Sequence, residues 1–297
     1  MKFAVIALLA LVGSPAIAAE PAAKTTPYVM PRSEVRDITS KAGAAYRVYI
    51  AMPEAPPPPG GYPVLYLLDG DESFAATAEM ANRFGIYWGL EPGIVVAIGY
   101  PTGSRRMLDD TPVGDPGDVV PAGTRTGGAD AFLTFLGDEL IPAIDAEHHI
   151  DPARRTLMGY SLGGLFTLHA LFHRPGLFAR YVAASPSIWF ADKAVLAALP
   201  AFEQRMRRGD LHPSLTLTAG QYEQSPPPGG EKDPAWLKIA ALSTKAAMID
   251  NARALSQRLA RLPGLSVSFA VVPGETHATG DFPAIREALR RAFAAAH

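Results

Sequence analysis

The sequence predicts an α/β fold, with a mostly parallel eight-stranded sheet and helices on both faces. Residues 64–68 and 94–98 are apolar throughout, as expected for strands that helices cover on both sides. Further strand candidates are residues 155–159, 181–184, 215–218 and 267–272. Two β-like segments, residues 33–38 and 46–52, come before all of these and complete the sheet. Strands that alternate with helices are typical of a parallel sheet.

The helices are predicted from apolar residues that recur every three or four positions. In residues 129–146 this apolar face consists of Phe132, Phe135, Leu136, Leu140 and Ile144. The remaining predicted helices are residues 162–172, 244–262 and 282–295.

Three stretches are too long and irregular to be simple connections between these elements. They are residues 101–128, 187–212 and 221–238. Excursions of this length in a compact domain are often functional.

The N-terminus predicts export. Lys2 precedes an unbroken apolar run at residues 3–12, and Ala16-Ile17-Ala18 fits the small-x-small rule for signal-peptide cleavage. The alternative is an ordinary buried helix or strand. The run is too short to span a bilayer. We therefore expect a signal peptide at residues 1–18, one domain at residues 19–297, and a periplasmic or secreted protein without stable membrane insertion.

Composition excludes several classes of function. The 297 residues carry a formal net charge of −2, which gives no basis for binding nucleic acid. The absence of cysteine excludes disulfides, thiolate metal sites and cysteine nucleophiles. No His/Asp cluster is evident along the chain, so we expect neither a metal nor an organic cofactor.

The candidate nucleophile is Ser161. The segment Gly159-Tyr160-Ser161-Leu162-Gly163 matches Gly-x-Ser-x-Gly, a pattern that puts serine on a sharp turn between a strand and a helix. A strand candidate precedes this segment and a helical pattern follows it, as the turn requires. Ser185 and Ser187 lack such surroundings and are not nucleophile candidates.

The turn also predicts an oxyanion hole, the group of N–H donors that binds the negative oxygen formed during acyl transfer. One donor is the backbone N–H of Leu162, at the N-terminus of the following helix. The second donor usually comes from the loop after the third strand. Asp71 is the first choice in that loop and Glu72 the next, although these acids could simply form a solvated turn.

The base and the acid are predicted from chain order. On the fold typical of this turn, the order is nucleophile, acid and base, and the base follows the last strand. His277 occupies that position. Glu223 is the first acid after the strand at residues 215–218, with Glu231 and Asp233 as later alternatives. The sequence is also compatible with a catalytic Ser–His pair that has no acid.

Several motifs resemble one branch of the α/β-hydrolases over roughly residues 30–290. This branch includes esterase D-like enzymes, mycolyltransferases and enterochelin esterases, and within it the resemblance is to periplasmic trilactone siderophore esterases. The motifs are Tyr66-Leu67-Leu68-Asp69-Gly70, Arg105-Arg106 with Asp110-Thr111-Pro112, residues 128–133 with 139–142, residues 159–166, Ser185-Pro186-Ser187-Ile188-Trp189 and Gly274-Glu275-Thr276-His277.

The resemblance implies an α/β-hydrolase fold and hydrolysis of ester bonds in a catecholate trilactone, its ferric complex or its linear products. It implies Ser161 as nucleophile, His277 as base and an acid at or near Glu223. Arg105 and Arg106 could pair with catecholate oxygens, or they could be a solvated pair. Trp189 could line the acyl side of the pocket, or it could simply pack against the residues around it.

Other functions remain open at this stage. The ester could be a feruloyl, acetyl or short-chain acyl ester, or the acyl group could pass to a sugar hydroxyl. A non-catalytic binding protein on the same scaffold is the alternative from another class. The sequence does not predict an oligomeric state.

Overall fold

The computed structural model describes residues 25–295, and its compact unit begins at Arg32. Residues 25–31 contain no helix or strand. The predicted signal peptide lies outside the described residues. No helix within residues 25–295 is both long and apolar enough to cross a membrane.

The eight strands form one sheet in the order β1-β2-β4-β3-β5-β6-β7-β8. Only β1 with β2 and β2 with β4 pair antiparallel. The predicted α/β fold with a mostly parallel eight-stranded sheet is therefore confirmed. The strands are β1 Ser33–Thr39, β2 Ala45–Ala51, β3 Tyr62–Leu67, β4 Ile94–Gly99, β5 Ile150–Tyr160, β6 Arg180–Ala184, β7 Ser214–Gly220 and β8 Ser266–Val272.

The helices within residues 25–295 follow the strands in alternation. They are α1 Gly70–Trp88, α2 Arg106–Asp109, α3 Ala129–Phe135, α4 Ile141–Glu147, α5 Leu162–His173, α6 Phe190–Lys193, α7 Leu199–Met206, α8 Pro234–Ala246, α9 Met248–Leu259 and α10 Asp281–Ala292. A π-helical turn at Leu136–Leu140 joins α3 to α4, so the helix predicted at residues 129–146 is nearly continuous.

Several helices differ from the prediction. Helices α2, α6, α7 and the start of α8 lie in the three stretches that were expected to be irregular. Helix α1 was not predicted, because only its first half packs on the sheet while Ile86, Tyr87 and Trp88 are exposed. This leaves no continuous apolar stripe along the helix. The helix predicted at residues 244–262 is only partly confirmed, because α9 covers Met248–Leu259 and residues 244–246 belong to α8. Two helices meet at Ala247, whose positive φ of 44° interrupts the helical path.

Helices cover both faces of the sheet. Val64, Tyr66 and Leu68 belong to a large buried cluster that also contains residues of α3, α5 and α7. Leu65 and Leu67 point to the opposite face, since side chains alternate along a strand, and they are equally buried. Helices α1 and α10 contact each other, and α10 also contacts β3, β5 and β6.

The parallel strands β3 to β8 all end at the same edge of the sheet. In open α/β sheets the carboxyl edge is where ligands bind, because the loops that leave the strands converge there. The segments that follow β3 to β8 carry most residues of the candidate site.

Candidate active site

Ser161 lies on the turn between β5 and α5, with φ 59° and ψ −113°. A positive φ is unfavourable for a residue with a Cβ atom and is typical of a nucleophile turn. The flanking glycines make the turn possible. A Cβ atom on Gly159 would collide with the carbonyl of Gly163, and one on Gly164 would lie 2.6 Å from the oxygen of Ala184.

His277 lies in the loop between β8 and α10, beside the serine. Its Nε2 atom is 2.9 Å from the Oγ atom of Ser161. Its side chain is 47% exposed, so the ring can meet a ligand from solvent. The Tyr160 hydroxyl donates a hydrogen bond of 2.9 Å to the carbonyl of His277, which holds the histidine loop against the serine turn.

Glu223 lies on the other side of the histidine ring. Its Oε2 atom is 3.2 Å from Nδ1 of His277. Its Oε1 atom accepts hydrogen bonds from the Ser185 hydroxyl at 2.5 Å and from the Gly220 N–H at 2.7 Å. The side chain is fully buried. The structure thus brings Ser161, His277 and Glu223 into one hydrogen-bonded chain.

The two alternative acids lie elsewhere. Asp233 is the N-cap of α8, where its side chain accepts a hydrogen bond of 2.8 Å from the Ala235 N–H. Glu231 is exposed in the loop before that helix. Of the three acids considered after β7, Glu223 is the one bonded to His277.

The proposed oxyanion donors both belong to helix N-termini. Leu162 is the first residue of α5, and Asp71 is in the first turn of α1. Backbone N–H groups in a first helical turn have no partner within the helix and favour negative charge. The Asp71 side chain points to the β2 and β4 side, where it accepts from the Tyr49 hydroxyl at 2.6 Å and from the Tyr100 N–H at 2.8 Å.

Arg106 joins the loop after β3 to the serine turn. Its Nε atom donates to Oδ1 of Asp69 at 2.7 Å, and its NH2 group donates to the carbonyl of Tyr160 at 2.8 Å. The Oδ2 atom of Asp110 lies 3.9 Å from the same guanidinium. Burial raises the pKa of both carboxyls, and the Arg106 charge opposes that rise.

The other predicted substrate contacts lie differently. Arg105 forms two hydrogen bonds of 3.0 Å with Asp109 and lies over the ring of Tyr46, 5.8 Å from its centroid. Trp189 is half-buried, and its ring centroid is 6.4 Å from that of Phe190. Neither residue lines the cavity at Ser161, whereas Arg106 does.

That cavity has a volume of about 270 Å³. Both apolar and charged side chains line it. Its lining includes Leu67, Leu68, Asp69, Glu72, Ser73, Arg106, Met158, Tyr160, Ser161, His277, Asp281 and Ile285.

Two serines that the sequence excluded as nucleophiles contact the site. Ser185 bonds Glu223, and the Oγ atom of Ser187 is 3.4 Å from that of Ser161. Both follow β6, which pairs with β5 and β7. The position of these serines directly after β6 could have predicted the contacts, because residues that follow neighbouring parallel strands lie together at one edge of the sheet.

A family model described as "Putative esterase" matches residues 39–259. The ferri-bacillibactin esterase BesA of Bacillus subtilis is 33% identical over 268 residues, covering 84% of this chain and 86% of that protein. The siderophore triacetylfusarinine C esterase of Aspergillus fumigatus is 36% identical over 217 residues, covering 69% of this chain and 73% of that protein.

Two solved structures are similar to this chain over most of its length. The siderophore hydrolase EstB from Aspergillus nidulans has a TM-score of 0.79 at 31% identity, covering 91% of this chain and 97% of its own. The BES protein from Bacillus cereus has a TM-score of 0.78 at 29% identity, covering 92% of this chain and all of its own.

Proposed function

The chain belongs to the Putative esterase family, and we propose that it is an exported serine esterase that hydrolyses ester bonds of siderophores. The relatives named above are siderophore esterases, which supports this activity and the resemblance drawn from the sequence motifs. The observation that carries the chemistry is the hydrogen-bonded chain from Ser161 through His277 to Glu223.

The proposed mechanism follows from that chain of contacts. His277 accepts the proton of Ser161 at Nε2, and Oγ attacks the ester carbonyl. Glu223 keeps Nδ1 protonated and stabilises the imidazolium that forms. The N–H groups of Leu162 and Asp71 hold the oxyanion, each contributing about 3 kcal/mol. The alcohol leaves with the proton of His277, and water then cleaves the acyl-enzyme.

The proposed substrate class is a catecholate trilactone, as the iron complex or free, together with its linear products. A volume of about 270 Å³ is at the lower limit of small-molecule pockets, which begin near 300 Å³. We therefore expect one ester-bearing arm to enter the cavity while the rest of the substrate stays outside. Arg106 is already bonded to Asp69 and Tyr160, so the support for a catecholate comes from the relatives.

The decisive experiment compares the parent with Ser161→Ala on p-nitrophenyl acetate and on ferric and iron-free catecholate trilactones. We expect the variant to lose about a thousandfold or more in kcat on every substrate that the parent cleaves. A variant within tenfold of the parent would refute the nucleophile. A parent that cleaves only the aryl ester would refute the catecholate trilactone as substrate and leave the esterase chemistry intact.

Export is proposed from residues 2–18, whose pattern is that of a signal peptide. N-terminal sequencing of protein from the periplasmic or culture fraction tests it. We expect the mature chain to begin after Ala18 or Ala19. An intact Met1 in the cytoplasmic fraction would contradict export.

A further inference from the structure

A second group of functional side chains lies near the C-terminal end of α5, away from the serine turn. His169 and His173 belong to α5, and Asp130 belongs to α3. One ligand atom from each of the three side chains lies within 4.8 Å of the others. Nothing in the proposed esterase mechanism uses these residues.

We propose that Asp130, His169 and His173 form a binding site for a divalent transition-metal ion, with Zn²⁺ as the best match. Two imidazoles and one carboxylate are a common protein donor set for Zn²⁺, with water as a fourth ligand. Histidines four residues apart lie on one face of a helix, as in helical zinc motifs. The sequence predicted no metal, because the third ligand comes from another helix.

The contacts already bring the donors together. Nε2 of His169 is 2.9 Å from Oδ1 of Asp130, and the ring centroids of His169 and His173 are 4.1 Å apart. Metal–ligand bonds of about 2.0–2.2 Å place the ligand atoms of one ion about 3–4 Å apart. Asp130 and His173 are both exposed, so their side chains can rotate to bring ligand atoms that lie within 4.8 Å of one another to that spacing.

The burial of His169 distinguishes this cluster from a chance grouping of surface side chains. The residue is 3% exposed, so this ligand is held in place before an ion arrives. Its Nδ1 atom is buried without a hydrogen-bond partner. Metal-bound histidines usually donate their second N–H to an acceptor, which strengthens the site. The missing acceptor, together with Arg205 at the carbonyl of His173, predicts modest affinity.

The location of the cluster predicts the effect that a bound ion has on the protein. It would cross-link α3 to α5, the helix that begins next to Ser161. His169 is eight positions after Ser161, about 12 Å along a helix, so the ion would be too far away to contact a reacting ester. We therefore expect metal binding to stabilise the fold without taking part in the reaction.

The test uses the mature protein without a polyhistidine tag. Zn²⁺ is titrated by calorimetry, Co²⁺ binding is followed by visible absorption, and Tm is measured with and without Zn²⁺. We expect saturable binding and a rise in Tm. His173→Ala and Asp130→Asn should each weaken Zn²⁺ binding by about tenfold or more and reduce the rise in Tm, while ester hydrolysis stays at the parent rate.

His277→Ala is the matched control, because it removes the exposed histidine of the candidate active site. It should bind Zn²⁺ at the cluster as the parent does. No saturable binding by the parent would overturn the proposal. So would equal binding in the parent, His173→Ala and Asp130→Asn. Loss of binding in His277→Ala alone would assign the ion to the esterase site and refute the proposed cluster.

Discussion

Two carboxylates flank the serine turn, Asp69 after β3 and Glu223 after β7, and different kinds of partner hold them. Glu223 accepts hydrogen bonds from a serine hydroxyl and a backbone N–H, and its ion-pair partner within residues 25–295 is His277. Asp69 is paired with the guanidinium of Arg106. Asp69 lines the cavity at Ser161, whereas Glu223 is bonded to His277, the proposed base.

We infer from this difference a catalytic role for Glu223 and a positioning role for Arg106. Neutral donors orient Glu223 without cancelling its charge, which therefore acts on the imidazolium of His277. The charge of Asp69 is matched by Arg106, which also bonds the Tyr160 carbonyl next to Ser161. We expect changes at Glu223 to act mainly on catalysis, and changes at Arg106 to act on stability and on the alignment of the two loops.

Among changes to the two carboxylates and their partners, the largest effect is expected for Glu223→Gln. The amide has the shape of the carboxylate but no charge, and it can leave His277 in the wrong tautomer, so kcat should fall by about 10²–10⁴-fold. Steady-state kinetics on p-nitrophenyl acetate, with circular dichroism as the folding control, measure this. Activity within threefold of the parent would instead favour a Ser–His pair without an acid.

A smaller effect is expected for Arg106→Lys. Lysine keeps the positive charge that half-buried Asp69 and buried Asp110 need, whereas removing it would cost about 3–5 kcal/mol. It cannot reproduce the two directed hydrogen bonds. We expect a lower Tm and about a tenfold loss of kcat, with KM within threefold of the parent.

Arg105→Lys is the matched control for that experiment. Arg105 pairs with Asp109 and does not line the cavity, so this variant should keep both kcat and KM. A rise in KM with unchanged kcat in Arg106→Lys would show that Arg106 contacts the substrate. That result would replace the positioning role.

The smallest effect is expected for Ser185→Ala, which removes one of the two neutral donors to Glu223. A single hydrogen bond to a charged group contributes about 1.5–3 kcal/mol. Part of this should be recovered through the remaining Gly220 N–H, so a loss of about three- to tenfold in kcat is expected. An unchanged kcat in steady-state kinetics would show that Ser185 does not support the acid.

Much of the fold could be predicted because its local patterns agree with its tertiary environment. The central strands are apolar on both faces, and the structure buries both faces. Helix α1 escaped prediction because half of it is exposed, and the break at Ala247 escaped because nothing local distinguishes that alanine. The spacing of apolar residues predicts a helix or strand whose burial is the same along its length. The prediction fails where burial changes partway along the element.

The sequence was enough to nominate Ser161, His277 and Glu223, because the turn pattern and the order of residues after successive strands follow from chain connectivity. It could not show that Ser185 supports Glu223, that Arg106 links Asp69 to Tyr160, or that Asp130 meets two histidines of α5. Those contacts join residues that lie far apart in the chain. They depend on how strands pair and helices pack, which only the folded arrangement decides.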